Sequence, residues 1–132
     1  MHRRLRTILP VLALLLASAT HAAQAQFTAF GLTTNAQGRQ QLVRFRTDVP
    51  GSVATVGPTG VMLTGIDFRP LTNELYGYDN DRLFILDLST GAARVAFDVA
   101  NTTGSIGFDF NPTVDRIRVI GANGSNFRLN PL

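Results

Sequence analysis

Beyond residue 25 the chain contains no histidine, no cysteine, no lysine and no tryptophan; Glu74 is its single glutamate and Met62 its single methionine. These absences exclude a cysteine nucleophile, a histidine general base, a lysine Schiff base and the His or Cys sites that zinc, copper and haem favour. Without cysteine there is also no disulfide, so even an oxidising compartment offers no covalent brace and stability rests on packing. No apolar run reaches the roughly 20 residues that a membrane-spanning helix needs.

What the first residues hold is a different pattern. Met1-His2-Arg3-Arg4-Leu5-Arg6 is basic, Ile8 to Ala17 is apolar, and Ala23-Gln24-Ala25 has the small-x-small spacing of a signal peptidase site. Residues 1–25 therefore read as a secretory signal peptide, with residues 26–132 as one mature β domain placed in the periplasm or outside the cell. Arg6 stands where a twin-arginine signal prefers an apolar residue, which favours the general secretory route. Arg3, Arg4 and Arg6 account for the whole formal charge of +3, leaving nine arginines against nine acids in the mature region. The broad basic field that a nucleic-acid or anionic-membrane partner calls for is missing.

The mature region repeats itself. Gly65-Ile66-Asp67-Phe68-Arg69-Pro70 returns 42 positions later as Gly107-Phe108-Asp109-Phe110-Asn111-Pro112. Strands are expected at Phe27 to Thr34, Gln41 to Arg46, Ser52 to Val56, Leu63 to Phe68, Glu74 to Tyr78, Arg82 to Leu86, Ala93 to Phe97, Ile106 to Phe110, Arg116 to Ile120 and Asn126 to Leu129. Turn compositions separate them, among them Asn35-Ala36-Gln37-Gly38, Asp48-Val49-Pro50-Gly51, Asp79-Asn80-Asp81 and Asp87-Leu88-Ser89-Thr90-Gly91. No window carries apolar residues at helical spacing with caps, so the chain reads as all-β. A period in the low forties with about four strands per unit is that of β-propeller blades, giving a partial propeller-like array of about two and a half units that cannot close a ring. Short strands at this spacing also suit a β-sandwich, which is the alternative.

At these repeats the chain resembles a bacterial family catalogued as domain of unknown function 4394. The resemblance is carried by Leu63-Thr64-Gly65-Ile66-Asp67-Phe68-Arg69-Pro70 with Leu75-Tyr76-Gly77, and by the run from Gly107 to Val119 that contains Asn111-Pro112-Thr113-Val114-Asp115-Arg116. It implies a secreted propeller-type β protein, and, since family members are typically longer, a missing carboxyl-terminal half. It brings no catalytic or binding residues with it.

Among residues that could carry chemistry, Asp67 and Asp109 stand first, at equivalent positions of successive units. If their strand is innermost, both carboxylates face a central channel and could hold a cation such as calcium through oxygen ligands. The simpler reading gives each Asp the backbone N–H groups of the adjoining turn. Asp79-Asn80-Asp81 lacks the spacing of a calcium loop and reads as a hairpin turn. Arg116 and Arg118 share a strand face and could clamp an anion, although arginine on an exposed strand is ordinary. Tyr76 and Tyr78 could stack on a sugar, but aromatics at strand positions more often fill the space between sheets, as do Phe68, Phe84, Phe97, Phe108, Phe110 and Phe127. Asn101-Thr102-Thr103 and Asn123-Gly124-Ser125 read as loops.

No nucleophile, general base or phosphate loop stands out, so the leading expectation is a non-catalytic binding or structural module for an unknown ligand or protein. The competing ones are a carboxylate- or calcium-dependent channel enzyme using Asp67 and Asp109, and a truncated product without function of its own. Exposed sheets of a partial array also predict self-association.

Overall fold

The computed structural model describes residues 26–99 and 104–131; the expected signal peptide and Asn101-Thr102-Thr103 lie outside the described residues. Ten strands follow in chain order: β1 (Thr28–Thr34), β2 (Gln40–Arg46), β3 (Val49–Pro58), β4 (Gly65–Phe68), β5 (Leu75–Tyr78), β6 (Arg82–Leu86), β7 (Ala93–Asp98), β8 (Ser105–Asn111), β9 (Arg116–Gly121) and β10 (Asn126–Leu129). They form three antiparallel sheets, β1-β2-β3, β4-β5-β6-β7 and β8-β9-β10, each running through space in the order of the chain. There is no helix among the described residues. Three sheets are one more than a sandwich has, and they do not close into a barrel.

Sequence pattern separates the middle sheet from its neighbours. All four residues of β5 are buried, and Leu83, Phe84 and Leu86 of β6 are buried with them, because this sheet is covered on both faces. A strand covered twice reads as a continuous apolar run. In β9 the apolar Ile117 and Val119 alternate with Arg116 and Arg118, as a strand covered on one face requires.

Two apolar cores fill the spaces between the sheets. Between the first and second lie Leu42, Leu63, Leu75, Phe84 and Leu86, with Phe30, Leu32, Ile66 and Phe68 packed against them. Between the second and third lie Tyr76, Tyr78, Leu83, Phe110, Ile117 and Val119. Each fully buried side chain of this size contributes about 1.5–3 kcal/mol, which is how a chain without disulfides holds three sheets together. Gly65 lets β4 and β8 approach: a Cβ there would stand 2.7 Å from Cβ of Phe108.

Asp48-Val49-Pro50-Gly51, expected as a turn, is one only in part. The chain reverses at Thr47 and Asp48, and β3 starts at Val49, opposite Arg46. Asp48 closes the turn by pairing with Arg46, and Pro50 is tolerated because β3 is an edge strand whose missing N–H costs no ladder bond. The strand expected from Leu63 starts at Gly65, and Leu63 instead bonds to the buried Gln40, whose amide donates to the Leu63 carbonyl (3.0 Å) and accepts its N–H (2.8 Å). Gln40 thus behaves as a piece of strand backbone, stitching the first sheet to the second.

Candidate functional site

The most ordered polar arrangement lies where β4 and β8 run side by side. Asp67 is half-buried on β4, and its carboxylate accepts two backbone N–H groups: Oδ1 that of Phe68 at 2.9 Å, Oδ2 that of Phe110 on β8 at 2.7 Å. One residue pair further along, the buried Arg69 grips Asp115 with both prongs of its guanidinium, Nε to Oδ1 at 2.9 Å and Nη2 to Oδ2 at 2.5 Å. Fork-to-carboxylate pairing of this kind holds the Asp115 carboxyl below the usual carboxylate range and raises the Arg69 guanidinium above its own. Asp115 reaches Arg69 from a left-handed backbone conformation, φ 47°, at the turn between β8 and β9. Asn73, in the corresponding turn between β4 and β5, is left-handed as well, at φ 56°.

Asp109 occupies the matching position on β8 but meets different surroundings. It is exposed on the outward face of the third sheet, directly across from Arg118, which is in turn across from Arg128. Among the described residues no group of three or more acidic side chains gathers. Arg118 donates to Oδ1 of Asn126 at 2.7 Å, while Arg116 turns back to the carbonyls of Val114 and Asp115.

The other candidates sit as the simpler readings have them. Oδ1 of Asp79 accepts the N–H groups of Asp81 and Arg82, and its other oxygen pairs with the Arg82 guanidinium, so this carboxylate builds the hairpin turn. Tyr76 and Tyr78 are buried between the second and third sheets. Burial, with Asp81 and Asp79 nearby, pushes the Tyr78 hydroxyl up to about 12, and it donates to the Asn80 carbonyl at 2.9 Å. A surface cavity of about 420 Å³ lies elsewhere, lined by Arg39, Gln40, Pro58, Val61 and Met62.

The same apposition links the sheets twice. Phe30 of β1 meets Phe68 of β4 edge to face, with ring centroids 5.7 Å apart at 64°; Tyr76 of β5 meets Phe110 of β8 at 5.3 Å and 68°. Residues 41–132, well over half of the chain, match the family described as Domain of unknown function (DUF4394). The chain belongs to this family. The match takes in β4, β8 and all of Asp67, Arg69, Asp109 and Asp115, so the links from Asp67 to Phe110 and from Arg69 to Asp115 fall inside the DUF4394 region, while Phe30 and Gln40 precede it. No curated protein and no solved structure matches the chain.

Sequence reasoning did not single out the Arg69–Asp115 pair or the Gln40 link. No local signal marks them: their partners lie 46 and 23 residues away.

Proposed function

We propose that the three sheets are successive blades of a propeller-type array, and that this DUF4394 protein is an exported, non-catalytic binding or structural module. The observation that carries the reading is the repeated junction, in which Phe30–Phe68 and Tyr76–Phe110 relate each sheet to the next in the same way. One relation applied again and again sets repeats about a common axis. Asp67, Arg69 and Asp115 support a structural role, since their polar atoms are engaged in joining sheets. Loops at one end of such an array can hold a ligand or a protein without chemistry. Export to the periplasm or beyond rests on the pattern of residues 1–25, and self-association would follow from open sheet edges.

Thermal unfolding in calcium and in EDTA, together with calorimetric titration of calcium, tests the reading. A structural Asp67 lowers the melting temperature by the same amount in both media when replaced by Asn, and calcium gives no heat. Calcium-dependent stabilisation that disappears in the Asp67→Asn, Asp109→Asn double variant would instead establish a carboxylate-held cation. Mass spectrometry of the exported protein should find Gln26 at its start; an intact Met1 to Ala25 segment would overturn the export reading.

A further inference from the structure

The first sheet is built like the second but has one strand fewer among the described residues. Across β1 and β2, Phe30 stands opposite Arg44 and Leu32 opposite Leu42; across β5 and β6, Tyr76 stands opposite Ile85 and Tyr78 opposite Leu83. Phe30-Gly31-Leu32 therefore corresponds to Tyr76-Gly77-Tyr78, and the two ring pairs, Phe30–Phe68 and Tyr76–Phe110, confirm the correspondence independently. On β5, Tyr76 pairs with Asp67 and Tyr78 with Gly65 of β4. On β1, no described strand takes that place.

The direction of the backbone groups on β1 follows from two hydrogen bonds. Thr47 N–H donates to the Phe27 carbonyl and Asn35 N–H to the Arg39 carbonyl, both at 2.9 Å. In an antiparallel pair the bonded positions alternate, so the odd-numbered residues of β1 bond to β2 and the even-numbered ones, Phe30 and Leu32 among them, direct N–H and C=O away from it. These are the groups that Tyr76 and Tyr78 use to hold β4. The Phe68 N–H, at the position equivalent to Phe110, donates to its own neighbour Asp67, whereas the Phe110 N–H is taken by the Asp67 carboxylate of β4.

We propose that the edge of β1 on which no described strand lies is a strand-acceptor site, whose ligand is an extended peptide of the type Gly-apolar-Asp-aromatic. Such a strand would stand beside β4 as β4 stands beside β8. Its backbone bonds to Phe30 and Leu32, its Asp approaches the Phe68 N–H and shares that donor with Asp67 Oδ1, and the residue two beyond that Asp faces Asn73 as Arg69 faces Asp115. Main-chain bonds supply affinity in this mode, and the alternate side chains supply selectivity. The inference uses only the likeness of the first two sheets and stands whether or not the sheets belong to a propeller.

Amide exchange of the purified protein, followed by NMR with a blocked peptide Thr-Gly-Ile-Asp-Phe-Arg-Pro, is the test. The peptide should slow exchange at Phe30 and Leu32 by roughly tenfold or more and leave Ala29 and Gly31, already bonded to β2, unchanged. The same peptide N-methylated at its Asp, which removes the donor facing Phe30, should have no effect. Unaltered exchange at Phe30 and Leu32, equal action by the N-methylated peptide, or protection confined to β3 or β10 would overturn the proposal. Slowing that grows with protein concentration in the absence of peptide would assign the edge to a second copy and overturn it as well.

Discussion

The carboxylate of Asp67 and the backbone N–H of Phe110, 43 residues apart, meet at 2.7 Å and tie β4, the first strand of one sheet, to β8, the first strand of the next. Asp109 occupies the equivalent position on β8 yet has no such contact among the described residues. Two residues that a repeat makes identical are thus unequal in energy.

Replacing Asp67 by Ala should therefore be costly and replacing Asp109 by Ala cheap. Removing a charged acceptor of two N–H groups costs about 2 kcal/mol, whereas an exposed substitution stays within about 0.5 kcal/mol. Parallel urea titrations of the two variants measure the difference; equal midpoints would contradict it.

The Arg69–Asp115 pair predicts a particular acid response. The folded-state pKa of Asp115 is lowered, so the pair's stabilisation is present above the unfolded carboxylate value and is lost as pH falls through the lowered one. Melting temperature should decline on acidification below about pH 4, and Asp115→Asn should be less stable at neutral pH with a shallower decline. A variant that follows the wild-type acid limb would separate the pair from this behaviour.

Tyr78 predicts the opposite limb. Its hydroxyl is pushed up to about 12 in the folded state, so the native protein retains a proton that the unfolded chain releases nearer its ordinary value of 10.0. Stability is full below that ordinary value and falls as pH rises toward 12. Tyr78→Phe should flatten the slope between these values, and denaturant midpoints across that range would show it.

Gln40 predicts a buried polar cost. Replacing it by Leu removes the partners of the Leu63 N–H and C=O and leaves both unsatisfied at the junction of the first two sheets, which costs about 2–3 kcal/mol. Chemical denaturation checks the magnitude. Loss of amide protection at Leu63 would place the damage at that link.

Much of this architecture was legible beforehand. Turn residues punctuate the chain, apolar alternation marks β9, and an unbroken apolar run marks β6, because local sterics and one-sided or two-sided burial leave their trace in neighbouring residues. The expected turn from Asp48 to Gly51 failed because Pro50 signals a break in most contexts, and only its place on an edge strand makes it harmless. Gln40 gave no sign of its role, since a glutamine in a strand is ordinary until a distant loop brings Leu63 beside it.

The sequence by itself determined that strands dominate the chain, that a six-residue motif recurs after 42 residues, that Asp67 and Asp109 are counterparts, and that histidine, cysteine and lysine are absent beyond residue 25. Only the tertiary structure decided that Asp67 joins two sheets while Asp109 lies exposed, that Arg69 holds Asp115, and that no described strand lies along the outer edge of β1. The physical reason is range. Strand and turn preferences act between near neighbours along the chain, whereas the role of a carboxylate or a backbone N–H depends on which sheet stands beside it.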